Sequence, residues 1–93
     1  MSNPVKDNVA DSRYEMPIAD GAIAAAYYRI EDNAVVLIHT EVPFEYSGQG
    51  IASKLAAGVF ELIRASGRKV VLKCPFMARF SANHPEYRDL VAG

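Results

Sequence analysis

The sequence has 93 residues, of which 51% are hydrophobic, and this predicts one domain with its own core. The single cysteine excludes an internal disulfide framework, and a lone thiol fits a reducing compartment. The formal net charge of −1 argues against electrostatic binding of nucleic acid. No apolar run reaches the roughly 20 residues that a membrane-spanning helix needs, and the first 12 residues have no apolar targeting core. We therefore expect a cytoplasmic protein that contacts neither nucleic acid nor membrane.

Three strands are predicted in the first half of the chain. Residues 1–12 are polar and aperiodic, so we expect a flexible segment ahead of a single domain over residues 13–93. The strands are predicted at 13–16, 22–30 and 34–42, and their connecting turns make them an antiparallel meander. The second strand is rich in alanine, which favours helix, and we predict a strand because turn residues bound it on both sides.

A long helix is predicted over residues 51–66, because apolar residues recur there every three or four positions and Gly67 suits its end. A short strand at 70–73, a helix at 75–81 and a turn or short helix at 85–91 follow. The order β-β-β-α-β-α predicts a mixed α+β fold, with a meander, a βαβ crossover and a C-terminal helix. Ligands bind at the carboxyl ends of crossover strands, so the loop at 43–50 is the expected binding loop.

Two glycines stand directly before the long helix, at positions 48 and 50. Glycine permits a positive φ and a close approach of backbone to ligand, and the first turn of a helix has unpartnered N–H groups that attract phosphate. Ser53 and Lys54 can add a hydroxyl and a positive charge. The turn matches neither the dinucleotide fingerprint nor the P-loop, and glycines before a helix most often form only a tight turn.

The turn and its surroundings resemble the GNAT acetyltransferase superfamily. Ser47, Gly50 and Ala52 are similar to its Q/R-x-x-G-x-G/A motif, and the resemblance covers residues 13–91. The branch that the chain resembles is that of very short, single-domain GNAT-like N-acetyltransferases. The stretches that carry this resemblance are His39-Thr40-Glu41-Val42-Pro43, Gly48-Gln49-Gly50-Ile51-Ala52-Ser53-Lys54-Leu55, Cys74-Pro75-Phe76 and His84-Pro85-Glu86-Tyr87.

The resemblance implies a GNAT-like domain that binds acetyl-CoA. Backbone N–H groups of residues 48–53 would hold the pyrophosphate, and the backbone of residues 41–43 would pair with the pantetheine arm like an added strand. At the position of Ser47 the family has Arg or Gln, which is a longer hydrogen-bond donor. This departure concerns the affinity for acetyl-CoA more than the identity of the ligand. The implied binding residues are Val42, Pro43, Ser47, Gly48, Gln49, Gly50, Ile51, Ala52, Ser53 and Lys54.

Three further residues are candidates for the chemistry of acetyl transfer. Cys74 is either a buried structural residue or a nucleophile that carries the acetyl group. His39 is either a strand histidine satisfied by its neighbours or a general base for an amine. Glu41 is two residues on and shares its side of the strand, so it can orient His39 or act as the base itself. Direct transfer is preferred over an acetyl-cysteine because no base is assured beside Cys74.

Three functions follow from these candidates. The leading one is an N-acetyltransferase that acts on a primary amine of an unknown acceptor. The second is a non-catalytic CoA-binding module or partner subunit, because the chain is too short for the segments that shape an acceptor pocket in ordinary GNAT enzymes. The third is an interaction domain without a cofactor. No metal site is expected, since the two histidines and the cysteine lack a ligand spacing, and a homodimer is left open.

Overall fold

A computed structural model describes residues 4–92 as a five-stranded sheet with two α-helices. The sheet order follows the chain order, and the first four strands are antiparallel neighbours while β5 runs parallel to β4. The strands are β1 Lys6–Asn8, β2 Arg13–Pro17, β3 Ile23–Glu31, β4 Ala34–Glu41 and β5 Val70–Leu72. Helix α1, Ile51–Ser66, connects β4 to β5, and α2, Pro75–Ala82, follows β5. The predicted mixed α+β fold, with its meander, crossover and C-terminal helix, is confirmed.

The structure differs from the sequence prediction in the N-terminal segment. Residues 6–8 form β1 against β2, and Val9–Asp11 is a 3-10 turn, where the sequence predicts no structure. The polar residues that suggest disorder hold this segment: Asn8 Oδ1 accepts from the backbone N–H of Asp11 at 3.2 Å, and Asn8 Nδ2 donates to Glu15 at 2.9 Å. The first three residues of the expected flexible segment lie outside the described residues.

The loops also contain more regular structure than the sequence predicts. Phe44–Tyr46 in the expected binding loop is a 3-10 turn, whereas the 3-10 helix Pro85–Leu90 confirms the turn or short helix predicted at 85–91. After it the chain returns to the sheet, where Val91 bridges to Val70 and the N–H of Ala92 bonds to the carbonyl of Val70 at 2.9 Å. This short return protects the outer edge of β5.

The alanine-rich strand β3 lies at the centre of the sheet because its small side chains fit beneath a close layer. Ala24 and Ala26 are at most 1% exposed beneath α1, which packs across β3, and Ala25, which points to the other side of the sheet, is 3% exposed. Burial therefore overrides the helix propensity of alanine. The largest fully buried side chains of the core are Phe60, Leu37, Leu55, Ile63, Met77, Val35, Val36, Val59 and Val70.

The two faces of the sheet have different character. Both helices pack on one face, which we call the helix face, and their side chains form a single apolar cluster with Ala24, Ala26, Tyr28 and Leu37. The alternating residues of the same strands point to the opposite side, the open face, which carries polar side chains. The open-face residues that matter below are Arg13, Glu15, Tyr27, His39 and Glu41.

Gly58 of α1 packs directly against Val5 of the N-terminal segment. A Cβ at this position would lie 2.3 Å from Cγ2 of Val5 and 2.9 Å from its Cβ. We expect Gly58→Ala to lower the free energy of unfolding by about 1–3 kcal/mol, the usual cost of overpacking, although alanine ordinarily stabilises a helix relative to glycine. Urea denaturation of the single variant measures this loss.

The background Val5→Gly provides the control for this prediction, because it removes the atoms that the new methyl group would meet. There Gly58→Ala should raise the free energy of unfolding through helix propensity alone. Stabilisation by Gly58→Ala in the wild-type background would show that Val5 does not pack against α1 at Gly58.

Tyr28 connects the centre of the sheet to its first edge. Its hydroxyl donates to Asp7 Oδ1 at 2.6 Å, and burial, followed by the effect of Asp7, raises the pKa of Tyr28 to about 12. An unfolded tyrosine titrates near pH 10, so this contribution to stability is complete below about pH 10 and is lost as pH rises towards 12. We expect the free energy of unfolding to fall across this interval, and to fall less steeply in Tyr28→Phe. Equal pH dependence in the two proteins, followed by circular dichroism, would contradict this assignment.

Candidate functional site

A β-bulge in β4 decides which residues face which side. Tyr28 pairs with Leu37 but Tyr27 pairs with His39, so Ile38 is an extra residue in β4. Strict alternation from Leu37 would turn His39 and Glu41 towards the helices. The bulge reverses this, because one inserted residue moves every later side chain to the other face.

His39 and Glu41 therefore lie together on the open face, and their predicted juxtaposition is confirmed. His39 Nε2 is 3.2 Å from Glu41 Oε2, and the two side chains are 58% and 59% exposed. The ring of Tyr27 lies beside that of His39, with centroids 6.1 Å apart, and the Tyr27 hydroxyl is 3.5 Å from Glu41 Oε1. The three side chains place a carboxylate and an imidazole at the accessible end of β4.

Strand β5 pairs with only the first half of β4. They pair at three positions, Val35 with Val70, Val36 with Val71 and Leu37 with Leu72. The backbone N–H groups of Lys73 and Cys74 both bond to the carbonyl of Leu37 at 3.0 Å, and the chain then turns into α2 at Pro75.

The edge of β4 that faces β5 is consequently unpaired beyond Leu37. Among residues 4–92 no strand pairs with residues 38–41 on that edge. Such a run of backbone donors and acceptors can accept an extended ligand that carries amide groups.

Cys74 lies at the closed end of this gap, on the helix face. It is 4% exposed, it is the N-cap residue of α2, and its Sγ is 3.3 Å from Thr40 Oγ1. Thr40 is opposite Ala26 on the helix face, whereas His39 and Glu41 are on the open face. The structure thus brings His39 and Glu41 together and separates both from Cys74, whose hydrogen-bonding side-chain neighbour is a hydroxyl group.

The Gly-rich turn has the backbone geometry that an anion site requires. Gly48 and Gly50 have φ of +79° and +73°, and Gly50 is the N-cap of α1. No side chain caps the helix and no acidic residue occupies its first turn, so its N–H groups and dipole face solvent. Gln49, Ser53 and Lys54 are exposed around it, while Ile51 is buried and Ala52 half-buried beneath it.

The remaining residues of the implied binding set frame this turn. Val42 and Pro43 are half-buried at the end of β4 and line a shallow groove of about 520 Å³ that reaches Tyr27 and Glu41. The hydroxyl of Ser47 donates to the carbonyl of Phe44 at 2.9 Å, so it closes its own turn. The other side of α1 borders a groove of about 760 Å³, which Gln49 and Lys54 share with the N-terminal segment.

His84 and Tyr87, in the last of the stretches that carry the family resemblance, make contacts with α2 and α1. His84 Nδ1 is 2.8 Å from the carbonyl of Phe80, and the Tyr87 hydroxyl donates to Glu61 at 2.9 Å. Over residues 4–92, no group of three or more His, Cys, Asp or Glu side chains could hold a metal ion. In the same range no helix has both the length and the apolar character needed to cross a membrane.

Sequence reasoning did not identify Arg13, Tyr27 or Thr40 as members of the site. Arg13 donates to the Tyr27 hydroxyl at 3.1 Å, which continues the polar contacts of the open face towards β2. The sequence could have indicated Tyr27, because a meander with strands of the predicted lengths places this residue opposite the end of β4. The face on which it meets His39 depends on the bulge, which leaves no mark in the sequence.

Comparison with known proteins assigns this arrangement to a family. The family model described as GCN5-related N-acetyl-transferase matches residues 13–90. A GCN5-like protein from Staphylococcus aureus, whose structure was determined by NMR in solution, superposes with a TM-score of 0.71 at 28% identity, over 100% of this chain and 92% of that one. No curated protein sequence matches the chain. The chain belongs to the GCN5-related N-acetyltransferase family, a family of acyltransferases.

Proposed function

We propose that this protein binds acetyl-CoA and transfers its acetyl group to a primary amine. The observation that carries the proposal is the unpaired edge of β4. One end of this edge leads to the uncapped N-terminus of α1, and the His39–Glu41 pair lies beside it on the open face. An anion site, an extended-ligand site and a pair of proton acceptors therefore adjoin one another.

Acetyl-CoA fits the residues that are present. Its pyrophosphate suits the N–H groups of residues 48–53, to which Lys54 adds a positive charge. Its pantetheine arm carries two amides, which suit the unpaired backbone of β4 and the segment through Val42 and Pro43. The thioester would then lie near the point where β4 and β5 diverge.

The reaction requires one proton acceptor and one oxyanion site. The amine nitrogen attacks the thioester carbonyl carbon, the C–N bond forms, and the C–S bond breaks as CoA leaves as a thiolate, which takes up a proton from solvent. Glu41 or His39 takes the proton that the nitrogen loses, and backbone N–H groups of the unpaired β4 edge can stabilise the negative charge that develops on the carbonyl oxygen.

The geometry favours direct transfer over an acetylated Cys74. A thiol needs a neighbouring base or a lowered pKa to act as a nucleophile, and the side chain that contacts Sγ is Thr40. The two proton acceptors are on the other face of the sheet. In direct transfer the role of Cys74 is structural, at the point where β5 ends and α2 begins.

A second candidate function is a CoA-binding module without turnover. It is favoured by the exposure of His39 and Glu41, since more than half of each side chain contacts solvent and a water-filled site weakens electrostatic catalysis. Binding of acetyl-CoA without CoA release in the presence of amines would identify this function.

Binding at the turn is tested by Gly50→Val, which places a β-branched residue where φ is +73° and where pyrophosphate would approach. Acetyl-CoA should raise the Tm of the wild type, since a ligand that binds only the folded state stabilises it, and it should not raise that of Gly50→Val. CoA should give a similar shift.

Gly21→Val is the matched control for this variant. Gly21 also has a positive φ, +81°, but it lies in the turn between β2 and β3. Both variants should lose stability, and Gly21→Val alone should keep the acetyl-CoA shift. A normal shift in Gly50→Val would remove the turn from the binding site.

Transfer is tested by CoA release with a panel of primary amines. The base should be revealed by a loss of about 10²–10⁴-fold in kcat in His39→Ala or Glu41→Gln. Glu31→Gln, at an exposed carboxylate beyond the site on β3, should have no effect.

Cys74→Ala should cause only a modest loss of kcat, and acetyl-CoA alone should leave no acetyl-sized mass increment on the protein. Stoichiometric acetylation of Cys74 as fast as turnover would contradict direct transfer.

A further inference from the structure

An exposed glutamate is a poorly placed base unless its side chain is fixed. Glu41 is 59% exposed and has several rotatable bonds, and a catalytic group must hold its geometry to within a fraction of an ångström. In this structure both carboxylate oxygens have a neighbour, because His39 Nε2 is next to Oε2 and the Tyr27 hydroxyl is next to Oε1.

The direction of the Tyr27 hydroxyl is set by Arg13. The guanidinium nitrogen NH1 of Arg13 lies 3.1 Å from the hydroxyl oxygen, and a guanidinium can only donate. The hydroxyl must therefore accept from Arg13, which leaves its own proton to donate to Glu41. Arg13 also lies over the Tyr27 ring, with its Cζ 5.8 Å from the centroid, and His39 is on the other side of that ring.

Arg13 is itself held by contacts that lead back to the first strand. Its Nε donates to Glu15 Oε2 at 2.5 Å, and the same carboxylate oxygen accepts from Asn8 Nδ2 at 2.9 Å. The contact with Glu15, followed by that with Tyr27, raises the pKa of Arg13, and the contacts with Asn8 and then Arg13 lower the pKa of Glu15. A continuous series of hydrogen bonds thus crosses from β1 to β4 on the open face and ends at Glu41.

We propose that Tyr27, oriented by Arg13, is a positioning residue that fixes the carboxylate of Glu41 for proton transfer. The inference rests on the proposed function, and it holds whether Glu41 takes the proton itself or orients His39. The residue is opposite His39 only because the bulge at Ile38 shifts the register, so the same irregularity supplies both the acid–base pair and its support.

The kinetic test uses Tyr27→Phe, which keeps the ring between Arg13 and His39 and removes the hydroxyl. We expect kcat for acetyl transfer to fall about tenfold, on the scale of a hydrogen bond to a charged group, with an unchanged KM for acetyl-CoA. In the Glu41→Gln background the same substitution should cause no further loss, because its effect passes through the carboxylate.

Tyr28→Phe is the matched control, since it removes the hydroxyl of the next residue on the same strand but on the helix face. It should reduce stability and leave kcat unchanged. Equal losses from Tyr27→Phe in the wild-type and Glu41→Gln backgrounds would show that Tyr27 does not act through Glu41, and would overturn the proposal.

A second measurement does not depend on turnover. Three-bond NMR couplings across χ1 and χ2 of Glu41 should report one rotamer in the wild type and averaged rotamers in Tyr27→Phe. Identical couplings in the two proteins would overturn the positioning role. If the wild type transfers acetyl to no amine, the proposed function fails, and the couplings alone decide whether Tyr27 fixes Glu41.

Discussion

The insertion of Ile38 into β4 is the constraint on which the candidate site depends. A strand allows only two directions for its side chains, so one extra residue changes the direction of everything that follows it. Before the bulge, Val35 and Leu37 belong to the core, and after it Thr40 takes the core side while His39 and Glu41 face outward. A regular strand would have placed an imidazole and a carboxylate against the apolar layer of the helices, where charged groups are costly.

The same strand divides the site between the two faces of the sheet. The Gly-rich turn and Cys74 belong to the layer that contains the helices, and the acid–base pair belongs to the uncovered side. Both groups adjoin the backbone edge of β4 beyond Leu37, which is unpaired because β5 ends there. The proposed chemistry therefore takes place along the unpaired part of β4, with the helix layer binding one substrate and the open face supplying the proton acceptor.

Much of this arrangement can be predicted from the sequence, and the parts that cannot have a common cause. The long helix, the crossover and the Gly-rich turn follow from periodicity and from glycine, which are properties of neighbouring residues. The side that His39 and Glu41 share follows from their spacing of two. The roles of Arg13, Tyr27 and Thr40 depend on register between strands distant in sequence, and β1 depends on contacts of Asn8 and Val5 with other elements. Local sequence patterns therefore predict the helices and turns, whereas the contacts that depend on pairing between distant strands could not be predicted from them.

The unpaired edge of β4 also bears on where this sheet could pair with another chain. Exposed strand edges are templates for pairing with other chains. The outer edge at β1 is three residues long and carries Lys6 and Asp7, while the outer edge at β5 is met by the returning chain at Val91 and Ala92. A further unpaired run of strand backbone is the edge of β4 at residues 38–41, beyond the end of β5. Cys74, the residue before α2, contacts Thr40 beside this edge, so a strand from a second molecule would meet α2 there. A slender ligand arm needs less room, so the surface that invites aggregation in other sheet proteins is here better suited to small extended molecules.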